Sequence, residues 1–307
     1  MPDDRLTKYA WFVLAYNVAV ILFGAVVRAT GSGAGCGSDW PTCRGGVVPL
    51  DGTAETVIEF THRTTSGIAL ILVFVLLIRV LRRKPSAGPA RAAAIAAAAL
   101  VVGEALVGAM LVLFGWVEDD QSMGRAVSIS VHLVNTFMLL GALSLTAWWL
   151  GDGSRIRRPL PARERRWMGL AAAGLLLVGV AGAITALGDT LFPAESIFAG
   201  IRDDFTGAFL VRLRWIHPIL AVATGLLLVW LAPRYAHHGG RVGRIGAIMT
   251  WLVAGQLLLG VVNVLLLAPV WMQVVHLLAA DLIWIVFLLF AVEAVAAVQA
   301  EPSGVAG

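Results

Sequence analysis

The sequence EFTHRTTSGIALILVF at residues 59–74 places His62 a few residues into an apolar run. The same arrangement recurs three times, in SISVHLVNTFMLL (128–140, with His132), LRWIHPILAVATGLLLVW (213–230, with His217) and MQVVHLLAADLIWIV (272–286, with His276). In each half of the chain, a run without a central histidine separates the two that carry one. An ionisable side chain is costly inside an apolar segment and usually faces a functional interior.

The runs around these histidines are long enough to cross a membrane. The chain has 307 residues, of which 59% are hydrophobic and 14% charged, whereas soluble domains carry about 25% charged residues. A membrane-spanning helix needs roughly 20 apolar residues, and eight segments meet that length. They lie near 8–28, 59–81, 92–115, 127–150, 165–188, 211–232, 244–267 and 271–297. The sequence therefore predicts an all-α integral membrane protein with eight transmembrane helices.

The two halves also align away from the histidines. GAVVRATGSG (24–33) corresponds to GAITALGDTL (182–191), and VGEALVGAMLVLFG (102–115) to AGQLLLGVVNVLLL (254–267). The second alignment sets Glu104 opposite Gln256. Four spans per half give both copies one orientation, so we expect a parallel internal repeat of two four-helix bundles. The predicted halves are 1–150 and 164–307, joined by the Gly- and Pro-containing linker 151–163.

The distribution of Lys and Arg predicts the orientation. Sixteen of these residues fall on one side of the predicted spans and seven on the other. The positive-inside rule then places both termini in the cytoplasm and all four histidines near the outer face of the plasma membrane. The net charge of +4 is accounted for by this anchoring to the lipid bilayer. No patch of aromatic and basic residues indicates nucleic-acid binding.

The four histidines suggest metal chemistry. Paired imidazoles from neighbouring helices are suitable axial ligands for a haem iron, so His62 with His132 and His217 with His276 predict one haem-sized site per half. A single membrane histidine can instead hydrogen-bond a neighbouring helix. Four histidines at one predicted depth favour the haem interpretation.

The first half has polar residues that the second half lacks. Cys36 and Cys43 lie in its outer loop, where a disulfide could hold the loop or relay electrons. Glu59 lies three residues before His62 and on the same helical face. It could interact with the imidazole or transfer protons, or it could be a helix-end charge interacting with the dipole.

Several other charged residues are candidates with more than one interpretation. Arg212 and Arg214 lie close in depth to the histidines, as Arg28 and Arg63 do. Their side chains could bind haem propionates or extend to the membrane interface. Glu104 and Asp281 lie within predicted spans and could relay protons or make structural hydrogen bonds.

One long motif resembles a known family. GAVVRATGSGAGCGSDWPTCRGGVVP (24–49), followed by IEFTHRTTSG (58–67), closely resembles the first outer loop and second helix of haem A synthase, in the branch that carries cysteines. The resemblance covers almost the whole chain, including eight spans, the duplication and the VHL, IHP and VHL contexts of the later histidines.

The resemblance implies an enzyme that oxidises the C8 methyl of haem O to a formyl group by successive hydroxylations, giving haem A for terminal oxidases. It implies haem b on His217 and His276, and substrate haem O near His62 and His132. Glu59 matches the family's glutamate at the substrate site, and the two cysteines match its loop disulfide. Haem O synthase and an electron donor are the expected partners.

Two alternatives remain open from the residues alone. A bis-His cytochrome b for quinol electron transfer explains the four histidines but not Glu59 or the cysteine loop. A parallel-repeat transporter predicts polar groups near the membrane midplane, whereas the histidines lie nearer the outer face.

Overall fold

The computed structural model describes residues 4–49, 52–83, 88–154, 156, 161–237 and 239–300. Across these residues it contains ten α-helices, one short 3-10 helix (Ser32–Ala34) and no β-strand. The helices are α1 (Asp4–Ala29), α2 (Ala54–Arg82), α3 (Pro89–Leu113), α4 (Met123–Leu150), α5 (Ala162–Leu191), α6 (Ile197–Thr206), α7 (Phe209–Arg212), α8 (Ile216–Ala236), α9 (Gly240–Leu265) and α10 (Val270–Ala300). Eight spans are long and apolar enough to cross a membrane, α7 and α8 together forming the sixth. The predicted all-α class and number of spans are confirmed.

The long helices pack as two closed rings of four. In the first ring α1 contacts α2 and α4, and α3 contacts α2 and α4. In the second ring α8 contacts α5 and α9, and α10 contacts α9 and α5. The rings meet where α1 and α4 pack against α5 and α10. This is the expected pair of four-helix bundles, while the parallel repeat itself stays a prediction.

Local sequence explains where several helices begin and how they pack. Pro89 occupies the first turn of α3, where a missing N–H costs nothing. The hydroxyl of Ser122 accepts a hydrogen bond from the backbone N–H of Arg125 and so caps α4. α3 buries a series of alanines, Ala90, Ala93, Ala94, Ala97 and Ala98. Small side chains let helix backbones approach closely in a membrane protein, and α3 accordingly packs along α4.

The segment between the fifth and sixth spans contains a helix that the sequence patterns did not reveal. α6 begins after Ser196, whose hydroxyl accepts from the N–H of Ala199. Its Phe198, Ile201 and Phe205 are exposed, and a short helix with such a face is typical of the membrane–water interface. The end of the molecule to which α6 belongs also carries both cysteines, and we call it the disulfide end.

The opposite end, which we call the linker end, is fastened by one buried carboxylate. Glu293 of α10 accepts hydrogen bonds from the indole N–H of Trp148 at 2.9 Å and from the backbone N–H and hydroxyl of Ser154. Arg241 donates to the carbonyl oxygen of Asp152 at 2.6 Å. The first residues of the predicted linker 151–163 are thus bound to the second bundle. Its residues 155 and 157–160 lie outside the described residues, and α5 already begins at Ala162.

Two contacts join the bundles closer to the histidines. The Trp284 indole stacks on Phe137 with ring centres 5.6 Å apart and donates to the Phe137 carbonyl. At the disulfide end, Arg28 of α1 donates to the Ala186 carbonyl at 2.6 Å, to the Thr190 hydroxyl at 2.9 Å and to the Gln273 amide oxygen at 2.9 Å. Arg28 is therefore a clamp between the two halves.

Replacing Arg28 by Met should lower the thermal unfolding midpoint of the purified protein. The change removes three inter-bundle hydrogen bonds, a loss of about 1–3 kcal/mol. Arg202→Met is the matched control, because the exposed Arg202–Asp203 pair is of a kind that contributes little. Equal midpoints for the two variants would show that Arg28 does not hold the bundles together.

Candidate functional site

His62 lies in the first bundle, on the side of α2 that faces α1. Its ring packs against the backbone of Gly24, where a Cβ would lie 3.1 Å from the imidazole Cε1. The Phe23 ring meets it edge-on at 5.8 Å between centres. Nδ1 of His62 is buried and, among the residues described, has no hydrogen-bond partner.

His132, on α4, contacts a carboxylate that enters from α3. Its Nδ1 lies 2.7 Å from Oε2 of Glu104. The other oxygen of Glu104 accepts from the side chains of Asn135 at 2.6 Å and Thr136 at 3.1 Å. The two histidines of this bundle also lie within electrostatic range of each other. The structure thus brings His62, His132 and Glu104 together.

In the second bundle, His217 of α8 and His276 of α10 face each other directly. Their ring centres are 6.3 Å apart and the planes are inclined by 75°. Nδ1 of His217 lies 3.1 Å from the Val178 carbonyl oxygen, which leaves Nε2 available. The Gln256 amide nitrogen lies 3.2 Å from Nε2 of His276, and Nδ1 of His276 is buried without a partner in the described part of the chain.

The contacts of the two bundles occur at aligned positions. Gly24 and Gly182 are the first residues of the aligned segments 24–33 and 182–191. Gly182 packs against His217 as Gly24 does against His62, with a Cβ position 3.0 Å from the imidazole Cε1. These glycines were not singled out from the sequence, because only the tertiary structure shows which face of α1 or α5 meets a histidine.

The three-residue spacing suggested that Glu59 could interact with the imidazole of His62, but its contacts in the structure are with other groups. It is 3% exposed, and its Oε2 accepts from the backbone N–H of Cys36 at 2.7 Å. Its Oε1 pairs with the guanidinium of Arg63. Arg63 in turn donates to the carbonyl oxygens of Asp39 and Thr42, each at 2.6 Å. Glu59 and Arg63 therefore fasten the cysteine loop to α2, one turn from His62.

Cys36 and Cys43 are joined by a disulfide, and both are buried. The loop between α1 and α2 approaches α2 closely at Gly35, where a Cβ would lie 2.4 Å from the Glu55 carbonyl carbon. The Thr56 hydroxyl donates to the Gly35 carbonyl at 2.7 Å. The disulfide thus closes a loop that is already bound to the helix carrying His62.

The two candidate arginines of the second half differ in their surroundings. Arg214 donates to Asp189 at 2.7 Å, and its Nε lies 3.1 Å from Asp204, so its charge is already balanced by carboxylates. Burial raises the pKa of Asp204, although Arg214 opposes that shift. Arg212 is exposed at the disulfide end. Arg214 therefore faces the protein interior next to His217, whereas Arg212 does not.

Two further features lie near the histidines. Asp281, five residues beyond His276 on α10, is fully buried, and neither carboxylate oxygen has a hydrogen-bond partner among the described residues. An apolar groove of about 550 Å³ runs along α4 between the bundles. It is bordered by Val127, Val131 and Asn135 of α4 and by Ile184 of α5. Asn135 links this groove to Glu104.

The chain belongs to the COX15-CtaA family of cytochrome oxidase assembly proteins, whose pattern it matches over residues 7–288. It is 27% identical to the protein named Heme A synthase of Alkalihalophilus pseudofirmus, over 84% of this chain and 86% of that protein. A Heme A synthase of Exiguobacterium sibiricum is also 27% identical, over 84% of each chain.

A third similarity differs in coverage. The chain is 49% identical to the protein named Protoheme IX farnesyltransferase of one strain of Thermus thermophilus, over 95% of this chain but 48% of that protein. Another strain of the same species has a protein of the same name that is 48% identical with the same coverage. The chain therefore spans about half the length of these two relatives.

The His217 and His276 pair fits imidazole ligation of a haem iron. Imidazole nitrogens bind metal ions at about 2.0–2.1 Å, so two rings that share one ion have centres roughly 6 Å apart. The His217 and His276 rings are 6.3 Å apart.

Gly24→Ala and Gly182→Ala should each weaken haem retention in their own bundle. The new methyl group would lie 3.1 Å from Cε1 of His62 or 3.0 Å from Cε1 of His217, so each ring must move. Overpacking of this kind costs about 1–3 kcal/mol, which corresponds to roughly tenfold or more in affinity. Haem titration of purified protein measures the effect.

Gly67→Ala and Gly169→Ala are the matched controls, because a Cβ at either position meets nothing within 4 Å. Both controls should bind haem as the unchanged protein does. If Gly24→Ala and Gly182→Ala also leave haem binding unchanged, the glycine contacts do not fix the imidazoles.

Proposed function

We propose that this protein is a haem A synthase, an enzyme that oxidises the C8 methyl of haem O to a formyl group. Each hydroxylation would use dioxygen, two electrons and two protons and would release one water. The hydrated aldehyde formed by the second hydroxylation would lose water to give haem A. The similarity to two proteins named Heme A synthase along most of their length supports this proposal.

The observation that carries this proposal is that the two histidine pairs, which are otherwise similar, have different side chains around them. In the first pair a carboxylate contacts a ring directly, since Glu104 lies against His132, and the buried Glu59 lies one turn before His62. Asp281 of the second bundle is also buried, but its carboxylate has no hydrogen-bond partner among the described residues. The corresponding side-chain contact in the second bundle comes from the neutral amide of Gln256. Groups that can exchange protons are needed where chemistry occurs, whereas a haem that only transfers electrons needs two ligands and a stable pocket. Haem O would therefore bind in the first bundle and haem b in the second.

His217 and His276 would hold haem b, while His62 and His132 would hold the iron of the substrate. Bound haem supplies the one-electron and oxygen chemistry that protein side chains cannot supply. The chain itself orients the ligands through the carbonyl of Val178 and the side chains of Glu104 and Gln256. Arg214 would bind propionates beside His217 only in exchange for its contacts with Asp189 and Asp204. Arg212, being exposed, is the weaker candidate for that role.

The apolar groove along α4 would accept the prenyl tail of haem O. Its volume of about 550 Å³ and its apolar lining are suited to a hydrocarbon chain in a membrane. Asn135 borders the groove and also contacts Glu104, so a tail in the groove would lie close to the first histidine pair.

The Thermus similarity suggests a partner. We infer that farnesyl transfer in that protein resides in the part that this chain does not match, because 48% coverage leaves about half of its length outside the alignment. A haem O synthase would then act next to this protein in the plasma membrane, with haem O as the shared compound. Electrons would come from a separate donor. Both termini would be cytoplasmic, and both haem sites would lie near the outer face.

Extraction of pigments from purified protein expressed with a haem O source tests the proposal. Haem b together with haem O or haem A is the expected result. Two equivalent haem b groups would indicate an electron-transferring cytochrome b instead. Formation of haem O from haem b and farnesyl diphosphate would show that the chain is itself a farnesyltransferase.

His217→Ala and His276→Ala should each remove the b-type absorption spectrum, because either change deletes one axial ligand of the resident haem. His237→Ala is the control, since His237 is exposed at the linker end and should leave the spectrum intact. Survival of the spectrum in both single variants would refute the assignment of haem b to this bundle.

Glu59→Gln should reduce haem A formation by about 10²–10⁴-fold, the usual contribution of a general acid–base group. The haem b of the second bundle should be retained. Glu55→Gln is the matched control, because Glu55 lies one turn earlier on α2 and is exposed. Haem A yield and haem b content are measured in the same preparation.

Arg63→Gln separates a chemical role of Glu59 from its role in anchoring the loop. That change keeps the carboxylate but breaks the ion pair, together with the hydrogen bonds from Arg63 to the carbonyls of Asp39 and Thr42. If Glu59 acts only as an anchor, Arg63→Gln should lose haem A formation at least as strongly as Glu59→Gln. Normal haem A yield in Glu59→Gln would rule out the catalytic role, and loss of both haems would show that the residue is structural.

A further inference from the structure

In each bundle, one side chain from the third span contacts the histidine of the fourth span. Glu104 of α3 contacts His132, and Gln256 of α9 contacts His276. The two positions align in the internal comparison of 102–115 with 254–267. The aligned position therefore carries a carboxylate that faces Nδ1 of His132 in one bundle and a neutral amide that faces Nε2 of His276 in the other.

The surroundings of Glu104 hold its carboxylate against the imidazole. Oε1 accepts from the Asn135 amide at 2.6 Å and from the Thr136 hydroxyl at 3.1 Å. The Asn135 amide also donates to the Leu100 carbonyl at 2.9 Å, so its orientation is fixed. Oε2 is thereby left facing Nδ1 of His132 at 2.7 Å.

The surroundings of Gln256 orient its amide in a different way. The amide nitrogen donates to the backbone carbonyl of His276 at 3.0 Å and lies 3.2 Å from the Nε2 atom of the same residue. His276 therefore meets the N–H side of the neutral Gln256 amide. No net charge reaches the imidazole of His276 from this position.

We propose that Glu104 and Gln256 are positioning residues that set different reduction potentials at the two haem sites. Glu104 makes His132 a more electron-donating ligand, whereas Gln256 leaves His276 an ordinary neutral imidazole. This proposal rests on the proposed function, because it requires that the two histidine pairs hold haem iron.

The physical reason is that a group hydrogen-bonded to a ligating histidine changes how strongly that histidine donates electrons to the iron. A carboxylate beside the second nitrogen of a ligating histidine fixes the tautomer and raises the basicity of the ligand. A more basic ligand stabilises the oxidised iron, and hydrogen bonding around the ligand is one of the protein's means of tuning haem potential. Different partners beside His132 and His276 would therefore give the two bound haems different potentials.

Exchanging the two side chains tests the proposal. Glu104→Gln removes the carboxylate beside His132, and Gln256→Glu places a carboxylate beside His276. The midpoint potential of each haem is measured by spectroscopic redox titration, on protein that holds only the resident haem b and on protein to which haem O has been added. Resonance Raman spectra supply the iron–histidine stretching frequency as a second readout.

Glu104→Gln should raise the potential of the added haem O and leave that of haem b unchanged. Gln256→Glu should lower the potential of haem b. We expect each shift to be about tenfold in the ratio of oxidised to reduced haem, which corresponds to 59 mV for a one-electron couple. Glu55→Gln, which removes a charge from an exposed position, should shift neither haem.

Bound haems whose potentials do not move in either variant would overturn this proposal while leaving the proposed function standing. A protein that binds no haem O in its unchanged form would instead contradict the proposed function. If Glu104→Gln fails to hold haem O, Gln256→Glu still decides, because the potential of the resident haem b must fall. Glu104→Asp, which keeps the charge, should then restore part of the binding.

Discussion

The structure depends on the constraint that polar groups inside apolar helices must find protein partners, because lipid offers none. Each of the four histidines lies on a helix that is long enough to cross a membrane. Three of them contact a polar partner through a ring nitrogen, namely Glu104 for His132, Val178 for His217 and Gln256 for His276. The fourth, His62, fits against the backbone of Gly24. The helices that supply these contacts are the ones that close each four-helix ring.

The same constraint explains how the cysteine loop and the two bundles are held together. Glu59 is buried where the loop meets α2, and it is balanced by Arg63 and by the N–H of Cys36. Arg28 satisfies its donors on α5 and α10, and Glu293 collects donors from the other bundle. Buried charges therefore occur at junctions, where one side chain can join segments that are distant in sequence. Such junctions set the two histidine pairs in relation to each other.

The protein combines two similar pockets with different partners around them. Membership of the cytochrome oxidase assembly family and the similarity to proteins named Heme A synthase agree with a site that handles haem. The first bundle has the carboxylates of Glu104 and Glu59 near its histidines, whereas the second has the amide of Gln256. Two sites with different roles would need such a difference. The two rings of four helices can differ in this way because each is closed on itself.

The sequence by itself determined the all-α class, the eight spans and the four histidines, because apolar length and the periodic placement of a costly residue are local properties. It also indicated Glu59, the cysteine pair and the alignment of Glu104 with Gln256. Only the tertiary structure decided which partners these residues have. Glu59 contacts Arg63 and Cys36 through the folding of a loop back onto α2, and Arg28 reaches across to the other bundle. Only the packing of α1 and α5 shows that Gly24 and Gly182 lie against histidine rings. Such contacts depend on the rotation and spacing of whole helices. The packing of small and large side chains sets that rotation and spacing, and no local sequence pattern records it.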